Sequence, residues 1–155
     1  MRHLFAAILL ILTCTTAHAE MTERDGWSVT RTTKPFGQLV DDVKSAAKAN
    51  KMGVVTQAGP TGAAKKRGIT IPGNRVIGLF NNVYAVNILN LSTAAMIEAP
   101  IRMYVTENDD GSATLSYKLP STVFAPYAND AGPALAELAS ELDTIFAAIS
   151  TDATN

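Results

Sequence analysis

The chain is 155 residues long and 47% hydrophobic, with 13 Lys and Arg against 14 Asp and Glu for a net charge of −1. So even a balance gives no electrostatic case for a nucleic acid or an anionic membrane surface as partner. One Cys and two His leave no disulfide framework and little material for thiol or imidazole chemistry.

The first residues read as an export signal. Met1-Arg2-His3 is a short basic start, and Leu4 to Leu12 is an apolar run too short to span a bilayer. Ala17-His18-Ala19 then places small residues at the two positions a signal peptidase reads. Residues 1–19 are therefore expected to be a signal peptide, cut before Glu20, with the protein periplasmic or secreted and not attached to a membrane afterwards. Cys14, His3 and His18 all leave with that segment. The remaining chain, 20–155, is expected to be one domain with its core over about 27–150. It holds neither Cys nor His, which excludes imidazole or thiolate metal sites, Ser-His-Asp triads and cysteine nucleophiles. No metal and no cofactor is expected.

Residues 20–26 are polar. Trp27 to Thr32 alternates and is rich in β formers, which predicts a first strand. Thr33 is placed to cap a helix that tolerates Pro35 in its first turn. Phe36, Leu39, Val40, Val43, Ala46 and Ala47 then form one apolar stripe of an amphipathic helix. Gly53 stops it, and Val54-Val55-Thr56 begins a short strand. From Gly59 to about Asn74 the chain reads as a long loop with one helical turn near 63–67. Its Lys65-Lys66-Arg67 triplet has no interleaved aromatics and reads as solvated charge.

Arg75 to Phe80 is a nearly continuous apolar run, the pattern of a strand covered on both faces. Asn81 or Asn82 caps the helix that follows. In it Val83, Tyr84, Val86, Ile88, Leu89 and Leu91 leave polar room only around the asparagines, so the helix needs cover on more than one side. Ile101 to Thr106 and Ala113 to Lys118 alternate around an Asn-Asp-Asp-Gly turn, which predicts a β-hairpin. Ile101, Met103, Val105, Ala113, Leu115 and Tyr117 face inward. Arg102, Tyr104, Thr106, Thr114, Ser116 and Lys118 face outward. The STVFAPYAND segment is read as a connection, and Gly132-Pro133 opens a last helix with its stripe at Leu135, Leu138, Leu142, Ile145, Phe146 and Ile149. From Thr151 the composition reads as a disordered tail. The order β-α-β-β-α-β-β-α and the amphipathic helices imply an α+β two-layer sandwich, a single sheet with helices mainly on one face.

The central segment resembles the family catalogued as domain of unknown function 302. The residues that carry the likeness are Phe80-Asn81-Asn82-Val83, Met96-Ile97-Glu98-Ala99-Pro100, Arg102, Asp110-Gly111 and Ser116-Tyr117-Lys118-Leu119-Pro120. The resemblance implies a small α/β sandwich that pairs as a homodimer, and implies no activity. Members have Gly and Pro where Asn81 and Val83 stand. Many carry an Asp-His pair after the second strand, where this chain reads Thr56-Gln57-Ala58-Gly59, so a role built on that His does not transfer.

Asn82, Tyr84, Glu98, Arg102, Tyr104 and Tyr117 are the candidate ligand-binding residues, and none is assigned as catalytic. Glu98 stands before Pro100 and four residues before Arg102, placed either to anchor a ligand or to pair with Arg102 or backbone amides. The expected function is non-catalytic binding of a small ligand or a periplasmic partner protein by a homodimer. An enzyme using Glu98 as acid–base with tyrosine assistance is the alternative, and a structural accessory subunit a further one.

Overall fold

The computed structural model describes residues 21–155; the expected signal peptide and its cleavage site lie outside them. Five strands make one antiparallel sheet: β1 Trp27–Pro35, β2 Gly53–Ala58, β3 Asn74–Phe80, β4 Ile101–Glu107 and β5 Ser112–Lys118. Their order across the sheet is β1-β5-β4-β3-β2, so the predicted hairpin β4–β5 sits in the middle and the first two strands form the edges. The helices are α1 Phe36–Ala49, α2 Thr61–Lys66, α3 Asn82–Leu91, α4 Pro120–Phe124, α5 Ala128–Ala131 and α6 Pro133–Thr154. This is the expected α+β sandwich.

The core forms where the period-2 faces of the central strands meet the period-3.6 stripes of α1 and α6. Ile77, Leu79, Met103, Val105 and Leu115 from the sheet are fully buried with Leu39 and Val43 from α1 and Leu142, Phe146 and Ile149 from α6. The Tyr117 and Phe146 rings meet at 5.6 Å and 53°, a tilted contact that suits their quadrupoles. Among the described residues, the opposite face of the sheet carries no long helix. On β3, accordingly, Ile77 and Leu79 are buried while Val76 and Phe80 are only half-buried. The continuous apolar run had predicted cover on both faces, and only one face has it in full.

Three local expectations are corrected. Thr33 does not cap α1, because β1 continues through a bulge to the pair Pro35↔Ser112 and keeps Thr33 extended. The segment after Pro120 is not an irregular connection. It folds into α4, a 3-10 turn at Ala125–Tyr127 and α5, with Phe124 buried in the core. The C-terminus is not a frayed tail either. α6 runs to Thr154, and Ala153 repeats the Ile149 face one turn on, fully buried. Lys34 Nζ donates to the Ala153 carbonyl at 2.8 Å and to Asp42 Oδ2 at 2.9 Å, and Asn50 Nδ2 donates to Asp152 Oδ2 at 2.8 Å. A small side chain and two capped polar groups outweigh the polar composition that suggested disorder.

Two measurements check this account. Ala153→Asp places an unpaired carboxylate in the core and should cost about 3 kcal/mol or more, read as a lower urea midpoint. Thr151→Asp, at an exposed position, should leave the midpoint unchanged. Burial raises the Tyr117 pKa above its ordinary 10.0, opposed in part by the Ser28 side chain. A raised folded value means that this contribution to stability is complete below about pH 10 and is lost as pH rises through the folded pKa. The urea midpoint should fall above about pH 10, and less steeply in Tyr117→Phe, which keeps the ring against Phe146.

Candidate functional site

The face of the sheet away from the helices holds a cleft of about 380 Å³. Register decides its composition. Val76 lies opposite Tyr104 and Gly78 opposite Arg102 across β3–β4, Tyr104 opposite Ser116 across β4–β5, and Trp27 opposite Lys118 across β1–β5. These residues share one face because side chains alternate along each strand. Val76, Tyr104, Arg102, Lys118 and Trp27 all line the cleft, with Asn74 at one end. Ile101 and Tyr117, which begin β4 and nearly end β5, contribute where the cleft reaches the end of the ladder, with Val123 from α4 and Glu98.

Gly78 explains how Glu98 reaches this place. The chain leaves the 3-10 turn Ala95–Glu98 and enters β4 through Ala99 and Pro100, with Pro100 on the same face as Gly78. A Cβ on Gly78 would come within 2.9 Å of Pro100 Cγ and would overlap the Thr56 hydroxyl. Only a glycine lets Pro100 lie this close to the sheet, and that seating brings Glu98 to the cleft's end.

Glu98 accepts a hydrogen bond from the Tyr127 hydroxyl at 2.7 Å. This bond, more than burial, raises the Tyr127 pKa above 10.0, since a phenol that donates to a carboxylate resists losing its proton. The two alternatives read from the sequence, capping of backbone amides and pairing with Arg102, are both replaced by this contact. Arg102 makes no ion pair or hydrogen bond among the described residues. Asn74 Nδ2 donates to the Tyr104 hydroxyl oxygen at 2.6 Å, which leaves the Tyr104 proton free to donate elsewhere. At the opposite wall, Trp27 has Arg24 at 5.2 Å and Lys118 at 5.6 Å from its ring centroid, cation–π contacts that restrain the indole.

Four of the six sequence candidates therefore meet: Glu98, Arg102, Tyr104 and Tyr117. Asn82 and Tyr84 do not join them, because α3 packs on the helical side against α6. The Tyr84 hydroxyl lies 3.4 Å from Glu141 Oε2 on α6, and burial followed by the Glu141 charge raises its pKa. Asn82 is exposed at the helix start. The cap is Asn81, whose Oδ1 accepts from the Val83 amide at 2.9 Å and the Tyr84 amide at 3.4 Å. The turn acids point elsewhere: Asp110 takes hydrogen bonds from Ser112 and an ion pair from Arg31 at 2.9 Å, and Glu107 accepts from the Gly73 amide. The Ser112 bonds, then Arg31, hold the Asp110 pKa at about 2.

Sequence reasoning missed Trp27, Asn74, Val76 and Lys118. Trp27 is the only tryptophan, and a lone large aromatic in an edge strand was the one available signal. Its pairing with Lys118, ninety-one positions away, has no local signature.

A family model described as domain of unknown function DUF302 matches residues 27–149. Among solved structures the chain is similar to the crystal structure of an uncharacterised conserved DUF302 protein from Bacillus stearothermophilus, with a TM-score of 0.74 and 18% identity. That match covers 85% of this chain and 100% of the other, and at this identity it speaks for the fold alone. No curated protein matches the chain. With the family pattern spanning every strand of the sheet, the chain belongs to the DUF302 family.

Proposed function

We propose that the protein is an exported homodimer whose open-face cleft binds a small, largely apolar ligand without transforming it. The observation that carries the reading is the convergence in one cleft of Glu98, Arg102, Tyr104 and Tyr117 with Trp27 and Val76. A concave, mostly apolar space with a few directed polar groups is the usual form of a small-molecule site. Glu98 lines the cleft together with Tyr104 and Tyr117, but one of its oxygens is taken by the Tyr127 hydroxyl, which favours binding over catalysis.

The cleft is open to a direct probe because Trp27 lines it and is the only tryptophan. Phenylnaphthylamine, an apolar dye without charge, should brighten on binding to the mature protein and accept excitation energy from Trp27. Val76→Phe fills the floor and should weaken binding by about tenfold or more, a few methylenes' worth of lost contact. Dye uptake that ignores Val76→Phe and leaves Trp27 emission untouched would end the cleft reading.

The dimer has its own support. On α3 the side away from the core exposes Val83, Val86 and Leu89 at 66%, 48% and 47%, with Ile97 at 79% nearby in sequence. No charged residue occurs between Asn82 and Leu91. In a two-fold interface a residue near the axis meets its own twin, so an uncharged apolar stripe is self-compatible where a charge would repel. Native mass spectrometry of the protein recovered from its producing cells should give two copies, each beginning at Glu20. The double change Val86→Lys, Leu89→Lys should give one copy with unchanged helicity. A monomeric parent protein, or a mass that retains residues 1–19, would remove the corresponding half of the proposal.

A further inference from the structure

Resting on the cleft reading above, we infer that its ligand is an amphipathic anion, an apolar body bearing one carboxylate, sulfonate or phosphate, held by Arg102 and the Tyr104 hydroxyl.

Arg102 offers five N–H donors and is exposed and unpartnered among the described residues. The Tyr104 oxygen accepts from Asn74 Nδ2, so its own proton is the group it has left to offer. Arg102 and Tyr104 stand two residues apart on β4 and point to the same face. Two free donors, one of them charged, are thus placed about 7 Å apart along the strand, close enough for long side chains to share one anionic group. A guanidinium fork with a hydroxyl beside it matches the several acceptor oxygens of such a group.

The other charges in the cleft agree. Lys118 adds a second cation beside Trp27. The only acid in the lining is Glu98, and one of its oxygens is occupied by the Tyr127 hydroxyl. Cations therefore outnumber the single partly satisfied carboxylate. Trp27, Val76, Ile101, Tyr117 and Val123 supply apolar surface, which a bare inorganic anion would leave wet and an amphiphile would cover.

Anilinonaphthalene sulfonate and phenylnaphthylamine share an aromatic skeleton and differ in the sulfonate, so the pair separates the anion from the body. Each dye is titrated into the mature protein at low and high salt, read by dye brightening and Trp27 energy transfer. Arg102→Met should weaken the sulfonate dye by about tenfold or more, the usual effect of removing a charged hydrogen-bond partner. It should leave the neutral dye within about twofold, because the Met side chain keeps the apolar stem. Arg102→Lys should restore part of the loss, since charge returns without the fork. Tyr104→Phe should weaken only the sulfonate dye, by a few-fold. Salt should weaken the sulfonate dye and not the neutral one. If both dyes bind in the cleft and Arg102→Met weakens them equally, Arg102 only shapes the wall and the anion assignment is overturned while the cleft stands. If neither dye binds, the cleft reading itself fails.

Discussion

The seam between the sheet and the α1–α6 pair is the constraint from which the rest of the molecule follows. Met103 sits at its centre, fully buried and paired with Tyr117, which in turn meets Phe146. Because strand side chains alternate, burying Met103 forces Arg102 and Tyr104 to the other face. Slipping the register of β4 by one residue would bury a guanidinium and expose Ile101, Met103 and Val105, at a cost of several kcal/mol for the three aliphatic side chains alone. The polar groups of the cleft are thus oriented by the apolar residues between them. Core packing and site composition are two faces of one pattern.

A sheet with helices on one side must still satisfy the polar groups on the other. At the turn end of the hairpin small polar side chains do this locally, while Thr106 Oγ1, opposite Thr114, is buried without a hydrogen-bond partner. Thr114 donates to Asn108 Oδ1 at 2.9 Å, and Asn108 Nδ2 donates to Ser112 Oγ at 2.9 Å. Both Thr114 and Asn108 are buried, although no long helix among the described residues covers them. Each hydrogen bond is modest on its own, about 1 kcal/mol, but an unmet buried partner would cost more. The network closes the turn end of the hairpin, where the acids are already committed. Space and uncommitted donors remain at the opposite end, around Arg102 and Tyr104.

What the sequence made legible was whatever has a short period. The α1 and α6 stripes, the alternation of β4 and β5 and the turn at Gly111, whose φ of +79° suits glycine, could be read within a dozen residues. The alternation assigned each hairpin residue to the right face for that reason, but of the outward set only Arg102 and Lys118 are exposed, and Thr114 and Ser116 are buried because β5 lies between β1 and β4. Features that depend on distant segments were not readable. Ala153 looks like tail composition until Lys34 and Asn50 are brought to it by the fold. Asn82 and Tyr84 lie near Glu98 in sequence, yet α3 turns them toward α6 and away from the cleft. Trp27 and Lys118 carry no mark of each other. Four site residues were found because three of them belong to the hairpin and Glu98 is joined to it through Pro100.

Glu98 and Arg102 show how weak interactions can decide a site's charge. Their spacing and opposite signs suggest a pair, but an exposed ion pair contributes only about 0–1 kcal/mol. That is too little to dictate geometry against a competing contact. Seating Pro100 over Gly78 fixes the backbone between them, and Tyr127 then offers Glu98 a hydroxyl donor at 2.7 Å. A hydrogen bond to a charged acceptor is worth more than the exposed pair it displaces. One carboxylate oxygen is thereby engaged from the α4–α5 side, and the guanidinium is left facing the cleft. Had the two paired, the cleft would carry a neutralised wall with no preference for a charged guest. The choice of Tyr127 as Glu98's partner, made outside the hairpin, is what gives the hairpin's own arginine something left to bind.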